Sequence, residues 1–272
     1  MGYKKVTDWR KLPELKSLKD LPNPPKELFY QGKWEPDIFK NCVAVVGSRR
    51  ISEYGKRAIE KIIPQLVLEG KTIVSGFMYG TDQYAHQVCL ENGGQTIAIL
   101  GWGISFSLSG YDAELSEKII NGRGLLISEW EHQKPTLWTF PTRNRIVAAI
   151  SQEVIVIEAA AQSGSLITAR LANSLKRTLW AIPGPITSKT SVGTNSLIAQ
   201  GKASMWLGEE QTRQLSFDDP ILALLENDGL TADEIARKLV LPVADIGAKL
   251  TMLSLSGQIK ESGGKYFLND AN

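Results

Sequence analysis

The chain has 272 residues, of which 43% are hydrophobic and 22% charged, and its formal charge at neutral pH is +2. That composition is ordinary for a folded globular protein, which excludes disorder as the default state, and so small a net charge makes its distribution more informative than its sum. Apolar runs break at Gly or Glu well short of the roughly 18 residues that span a bilayer, the start has no signal-peptide core, and the two cysteines, Cys42 and Cys89, have no paired spacing; the expectation is a cytoplasmic protein with no membrane partner, disulfide framework or metal site.

Residues 1–40 are Lys-rich and carry Pro13, Pro22, Pro24, Pro25 and Pro36, which predicts an extended or loosely helical lead-in lying as a strap over a core. From Cys42 the texture changes to short apolar runs alternating with amphipathic segments. This is the pattern of repeated βα units in an α/β fold, a doubly wound and mostly parallel sheet. Strands are expected at 43–47, 71–75, 95–100, 124–128, 154–158 and 178–182. Helices are expected at 53–68, 83–91, 113–120, 144–150 and 166–175. The first shows Ala58, Ile62 and Leu66 at helical spacing, with Gly70 as its stop.

Nearly every expected strand ends at Gly, Ser or Pro. In a doubly wound sheet the strand C-termini form one edge, and the loops there build the ligand crevice. Gly47-Ser48-Arg49, Ser75-Gly76, Gly101, Ser128-Glu129 and Pro183-Gly184 are therefore expected to converge. Phe140-Pro141-Thr142-Arg143-Asn144-Arg145 falls on the same side, just ahead of the apolar residues 146–150. An aromatic ring, two guanidiniums and an amide at a helix start suit an anionic, planar ligand. The competing reading is a plain helix start with solvated arginines.

A second unit follows residue 217, so the expected domains are 1–40, 41–217 and 218–272. Residues 218–272 hold nine acids against five bases, a local charge of −4 that leaves +6 on the larger part, the better polyanion binder. Helices at 221–225, 235–239 and 242–256, with a stop at Asn227-Asp228-Gly229 and a capping box at Thr231-Ala232-Asp233-Glu234, precede a hairpin turning at Gly263-Gly264. Three helices and a hairpin in so short a span read as a winged helix. Its third helix carries only Asp245 and Lys249 as charges, which favours a protein-contact or regulatory role over major-groove reading.

Several sharper readings fail on their own motifs. Gly47-Ser48-Arg49-Arg50 lacks the remaining glycines of a dinucleotide fingerprint, no acid ends the second strand, and no Walker A sequence occurs, so no nucleotide cofactor is expected. Asp82 and His86 share a helix face, either as a catalytic or metal-binding pair or as a helix cap and a core histidine. Ser163-Gly164-Ser165 offers hydroxyls and close backbone approach to a phosphate or sugar, but the Gly-x-Ser-x-Gly of a nucleophile elbow is absent. Glu158 is expected to orient Arg143 or Arg145, and Gly193-Thr194-Asn195 reads as a helix start after a turn.

Taken in order, these segments resemble the DprA/Smf family of DNA-processing proteins. The resemblance is carried by Val45-Val46-Gly47-Ser48-Arg49, Ser75-Gly76 with Gly80, Asp82, Ala85 and His86, Gly93-Gly94-x-Thr96, Ser128-Glu129, Phe140-Pro141-x-Arg143-Asn144-Arg145-Ile146, Glu158-Ala159 with the segment Ser163-Gly164-Ser165-Leu166-Ile167-Thr168-Ala169, and Pro183-Gly184 with Gly193-Thr194-Asn195. It implies an extended Rossmann fold that binds single-stranded DNA without catalysis, forms homodimers and helps load a RecA-type recombinase during natural transformation. By the same resemblance Ser48 and Arg49 contact phosphate and Phe140 lies beside a base. Arg143, Asn144 and Arg145, with Ser163, Gly164 and Ser165, then shape the same pocket. The family's sterile-alpha-motif-like domain has no counterpart in residues 1–40. The segment 102–111 and the residues Met78, Tyr79 and Thr81 also depart from the usual pattern. Two alternatives compete with this reading: a phosphoribohydrolase-like nucleotide enzyme or sensor, whose Pro-Gly-Gly-x-Gly-Thr stretch is missing here, and a regulator that binds duplex DNA through the winged helix.

Overall fold

The apolar run after Asn41 becomes β3 (Cys42–Val46), an interior strand of a nine-stranded sheet in the computed structural model, which describes residues 2–207, 220–225, 229–255 and 258–269. All five residues of β3 are buried, because helices cover both faces of the sheet and the strand has no solvent side to make polar. Its alternation sorts the core: Cys42, Ala44 and Val46 pack on one face, Val43 and Val45 on the other.

Strands and helices then alternate as expected, through α1 (Glu53–Leu68), β4 (Thr72–Ser75), α2 (Thr81–Glu91), β5 (Thr96–Ile99), α3 (Gly110–Asn121), β6 (Leu125–Ser128), α4 (Thr139–Ile150), β7 (Glu153–Val156), α5 (Ser165–Ser174), β8 (Thr178–Ala181), α6 (Val192–Ala199) and β9 (Ser204–Met205). The parallel strands lie in the order β6-β5-β4-β3-β7-β8-β9, so the winding reverses between β3 and β7. That reversal opens a crevice beyond their C-terminal ends.

The lead-in is more than a strap. It forms β1 (Lys4–Lys5) and β2 (Phe29–Gly32), and β2 pairs antiparallel with β6 at the sheet edge. Between them, short 3-10 turns bury Trp9, Leu15 and Leu18 in the main core. The density of proline and lysine hides these elements in the sequence, since four residues are too few to show a strand period.

The described chain parts into two units between Trp206 and Leu207. The expected boundary at 217/218 and the Asn227-Asp228 helix stop lie outside the described residues. The second unit has α7 (Pro220–Leu224), α8 (Ala232–Leu239), α9 (Val243–Leu255) and a hairpin of β10 (Ile259–Ser262) and β11 (Lys265–Leu268). Thr231 and Glu234 form the anticipated capping box, and the hairpin turns at Gly263 and Gly264, both in the left-handed region with φ of 61° and 75°. This is a winged helix.

Two buried polar groups tie the larger unit together. The Arg145 guanidinium forms a bidentate pair with Glu129, both N···O distances 2.6 Å, and its Nε donates to the Asn23 carbonyl at 2.8 Å. It thus joins α4 to the end of β6 and to the lead-in. The two side chains are only 13% and 8% exposed, so removing either strands a buried charge. His86 is fully buried, with Nδ1 2.6 Å from the Thr96 hydroxyl and Nε2 2.6 Å from the Gly76 carbonyl. Burial lowers its pKa to about 4 and keeps it neutral, so it is the core histidine of the two readings.

Arg145→Ala is therefore expected to destabilise the protein by about 3 to 5 kcal/mol in urea unfolding, and a loss below about 1 kcal/mol contradicts a structural role. For His86 the unfolded chain holds a proton between pH 6.5 and about 4 that the folded chain does not, so its contribution to stability falls as pH falls through that window. The slope it adds approaches about 1.4 kcal/mol per pH unit, and it is expected to vanish in His86→Gln when unfolding free energies are compared across pH.

Candidate nucleic-acid interface

The loops at the β3/β7 reversal enclose a cleft of about 460 Å³. One wall is the segment after β3, where Gly47, Ser48 and Arg49 leave the sheet; Arg49 is exposed. The Ser48 hydroxyl closes a tight turn with Arg50, accepting from its N–H and donating to its carbonyl, both at 3.0 Å. The N-terminus of α2 holds this loop from below: Thr81 donates to the Ser48 carbonyl through its backbone N–H at 3.1 Å and its hydroxyl at 3.0 Å. Gly80 precedes it with φ of 89°, and any Cβ there would collide with the Ser48 and Arg49 carbonyls.

Helix α4 forms the second wall. It begins at Thr139, five residues before the sequence expectation, so the Phe140–Arg145 hexapeptide lies within its first turns rather than ahead of it. Pro141 is tolerated there because the first N–H groups of a helix have no intrahelical acceptor. Helical periodicity then sorts the hexapeptide. Phe140, Arg143, Asn144 and Val147 fall at i, i+3, i+4 and i+7 and all line the cleft. Arg145, rotated about 100° from Asn144, turns away to Glu129 and is not among the lining residues. Its expected place beside the other site residues is thus corrected: it braces the helix that carries them.

The third wall is the loop into α5. Ser163 and Ser165 place their hydroxyl oxygens 2.7 Å apart, and the Asn144 amide donates to the Gly164 carbonyl at 3.4 Å, latching this loop to α4. Ser48, Arg49, Phe140, Arg143, Asn144, Ser163, Gly164 and Ser165 therefore meet in one cleft.

The floor carries the electrostatics. Arg143 is only 3% exposed; its Nη1 donates to the Ile99 carbonyl, and its Nε is buried without a hydrogen-bond partner among the described residues. Asp82 faces it across Gly76, where a Cβ would strike both side chains. Burial raises the Asp82 pKa, an effect opposed by the Arg143 charge. Burial likewise lowers the Arg143 pKa, which Asp82 opposes and nearby Arg49 reinforces. Two guanidiniums thus share one buried carboxylate, and an anion placed in the cleft would offset the surplus positive charge. Above them the Arg49 guanidinium lies 5.2 Å from the centre of the Phe140 ring, which also packs against Gly101.

Glu158 orients neither arginine. Its carboxylate accepts from the Ser52 N–H and hydroxyl at the start of α1 and from the Thr190 hydroxyl, at 2.6 to 2.9 Å. Asp82 and Glu129 are the acids that sequence reasoning missed as partners of Arg143 and Arg145. Asn195 and Gly184 exchange two hydrogen bonds, so the later glycine-rich motif serves as scaffold. Tyr79, 56% exposed at the rim, was also missed as a lining residue.

Comparison with known proteins agrees with this architecture. The family model for DNA recombination-mediator protein A matches residues 7–216, and that for the DprA winged helix domain matches 216–265. Protein Smf of Escherichia coli is 33% identical over 93% of this chain and 74% of its own length. The DNA processing protein DprA of Streptococcus pneumoniae is 38% identical over 74% of this chain and 70% of its length, and its X-ray structure superposes with a TM-score of 0.69 over 79% of this chain and 74% of that one. The Helicobacter pylori protein, solved for its unique single-stranded DNA binding mode, gives 0.68 at 27% identity over 80% of this chain and 97% of that one. With this extent of matching over both units, the chain belongs to the DprA/Smf family of DNA-processing proteins.

Proposed function

We propose that the cleft holds single-stranded DNA through its phosphates and without reading sequence, and that the protein has no catalytic role. The observation that carries this is the cluster of Arg49 and Arg143 over a single buried carboxylate, at the crevice where β3 and β7 diverge. Ser48 and Arg49 on one wall and Ser163, Gly164 and Ser165 on the other give an anion its donors. Asn144 latches the serine loop to α4. Among the described residues no group of three His, Cys, Asp or Glu side chains is placed to hold a metal ion, so phosphate recognition falls to the guanidiniums, hydroxyls and backbone. The related Helicobacter pylori protein binds single-stranded DNA, which supports the same ligand here. The family's description as a recombination mediator supports a further step, in which the protein, as the homodimer that the resemblance implies, passes the strand to a RecA-type recombinase.

Binding is expected to weaken with salt and to be nearly indifferent to base sequence. In anisotropy titrations with labelled single strands, Arg49→Ala is expected to lower affinity several-fold and to reduce the slope of log K against log[salt] by about 0.7, the share of one phosphate contact. Unchanged affinity at fixed salt would remove Arg49 from the site. A chain ending at residue 217 is expected to keep single-strand binding; loss of that binding, with duplex binding present only in the full chain, would instead favour the winged helix as the DNA-binding element.

A further inference from the structure

A second cavity, of about 320 Å³, adjoins the cleft and shares three of its lining residues, Met78, Tyr79 and Phe140. Its other side is built by the segment after β5, which supplies Trp102 and Phe106. The chemistry of the two cavities differs. Asp112 is the only charged residue lining the second one, and its carboxylate accepts from the Gln83 amide at 2.8 Å. A phosphate is repelled there, whereas an uncharged aromatic group is accommodated. The rings that face solvent at this rim are Tyr79 and Phe106, 56% and 37% exposed. Phe140, by contrast, is half-buried between Arg49 and Gly101, with its ring at 71° to that of Trp102. An extended strand whose phosphates lie in the first cavity has bases within reach of the second, because the two adjoin at Met78, Tyr79 and Phe140.

We infer that the second cavity receives a nucleobase of the strand held in the cleft, with Tyr79 and Phe106 as its stacking surfaces; this rests on the single-stranded DNA reading above. Stacking tolerates any base, since each has a π-face, so the subsite adds affinity without adding sequence preference.

The test uses the full chain with two oligonucleotides of equal length, an oligothymidylate and a fully abasic strand with the same sugar-phosphate backbone. Wild type is expected to bind the intact strand about tenfold more tightly than the abasic one. Tyr79→Ala combined with Phe106→Ala is expected to lose about tenfold on the intact strand, to bind the abasic strand as wild type does, and to keep its salt slope. Tyr79→Phe should bind as wild type, because stacking does not need the hydroxyl. Equal wild-type affinity for both strands overturns the inference whatever the variants do, and so does an equal loss by the double variant on both strands. If Arg49→Ala weakens binding to both strands while the double variant changes neither, the subsite falls and the phosphate cleft stands. If wild type binds neither strand, both readings fall together. Matching thermal unfolding of the double variant and wild type separates these outcomes from misfolding.

Discussion

The site depends on one buried guanidinium. Arg143 sits beneath the sheet's C-terminal edge, its charge removed from water and balanced by Asp82 and by the Ile99 carbonyl. A buried charge is tolerable only when its surroundings are built around it, and several otherwise unrelated features follow from that need. Gly76 has no side chain because Arg143 and Asp82 fill the space one would occupy. Helix α4 starts at Thr139 so that one turn of helix precedes the arginine and sets its direction. Glu129 clamps the next arginine and holds the helix against β6. The proposed recognition chemistry, Arg49 above and the serine loop opposite, is assembled on that fixed floor.

Such a floor has an electrostatic use. Asp82 offsets one guanidinium but not two, and the carboxylate itself is penalised by burial. The cleft is therefore poised to favour an anion, which reconciles a modest net charge with the proposed polyanion binding. The +6 on residues before Asp218 is spread over a large surface, and the part that matters is local.

Much of this was legible in the sequence, for a physical reason. Residues 42–46 and 154–157 are apolar throughout because parallel strands are covered on both faces, and Gly47 follows the first of these runs where the chain must turn at the sheet edge. All six expected strands and the five expected helices of the larger unit occur, and eight of the nine candidate residues meet in one cleft. What escaped was non-local. The hexapeptide reads as an exposed helix start, yet the 3.6-residue period buries Arg143 and sends Arg145 to an acid sixteen residues earlier in the chain. Which carboxylate serves which arginine depends on tertiary approach, and Glu158 proved to hold Ser52, the residue that caps α1, instead. The lead-in strand was hidden because its period is too short to register beside five prolines.

The central claim is that the strand lies across the crevice between β3 and β7. Photocrosslinking of the full chain to an oligonucleotide carrying 4-thiothymidine, with adducts mapped by mass spectrometry, tests it most directly. Adducts are predicted on peptides containing residues 47–50, 76–82, 102–108, 137–144 and 162–168. Adducts confined to the winged helix, or scattered over the surface away from these segments, would contradict it.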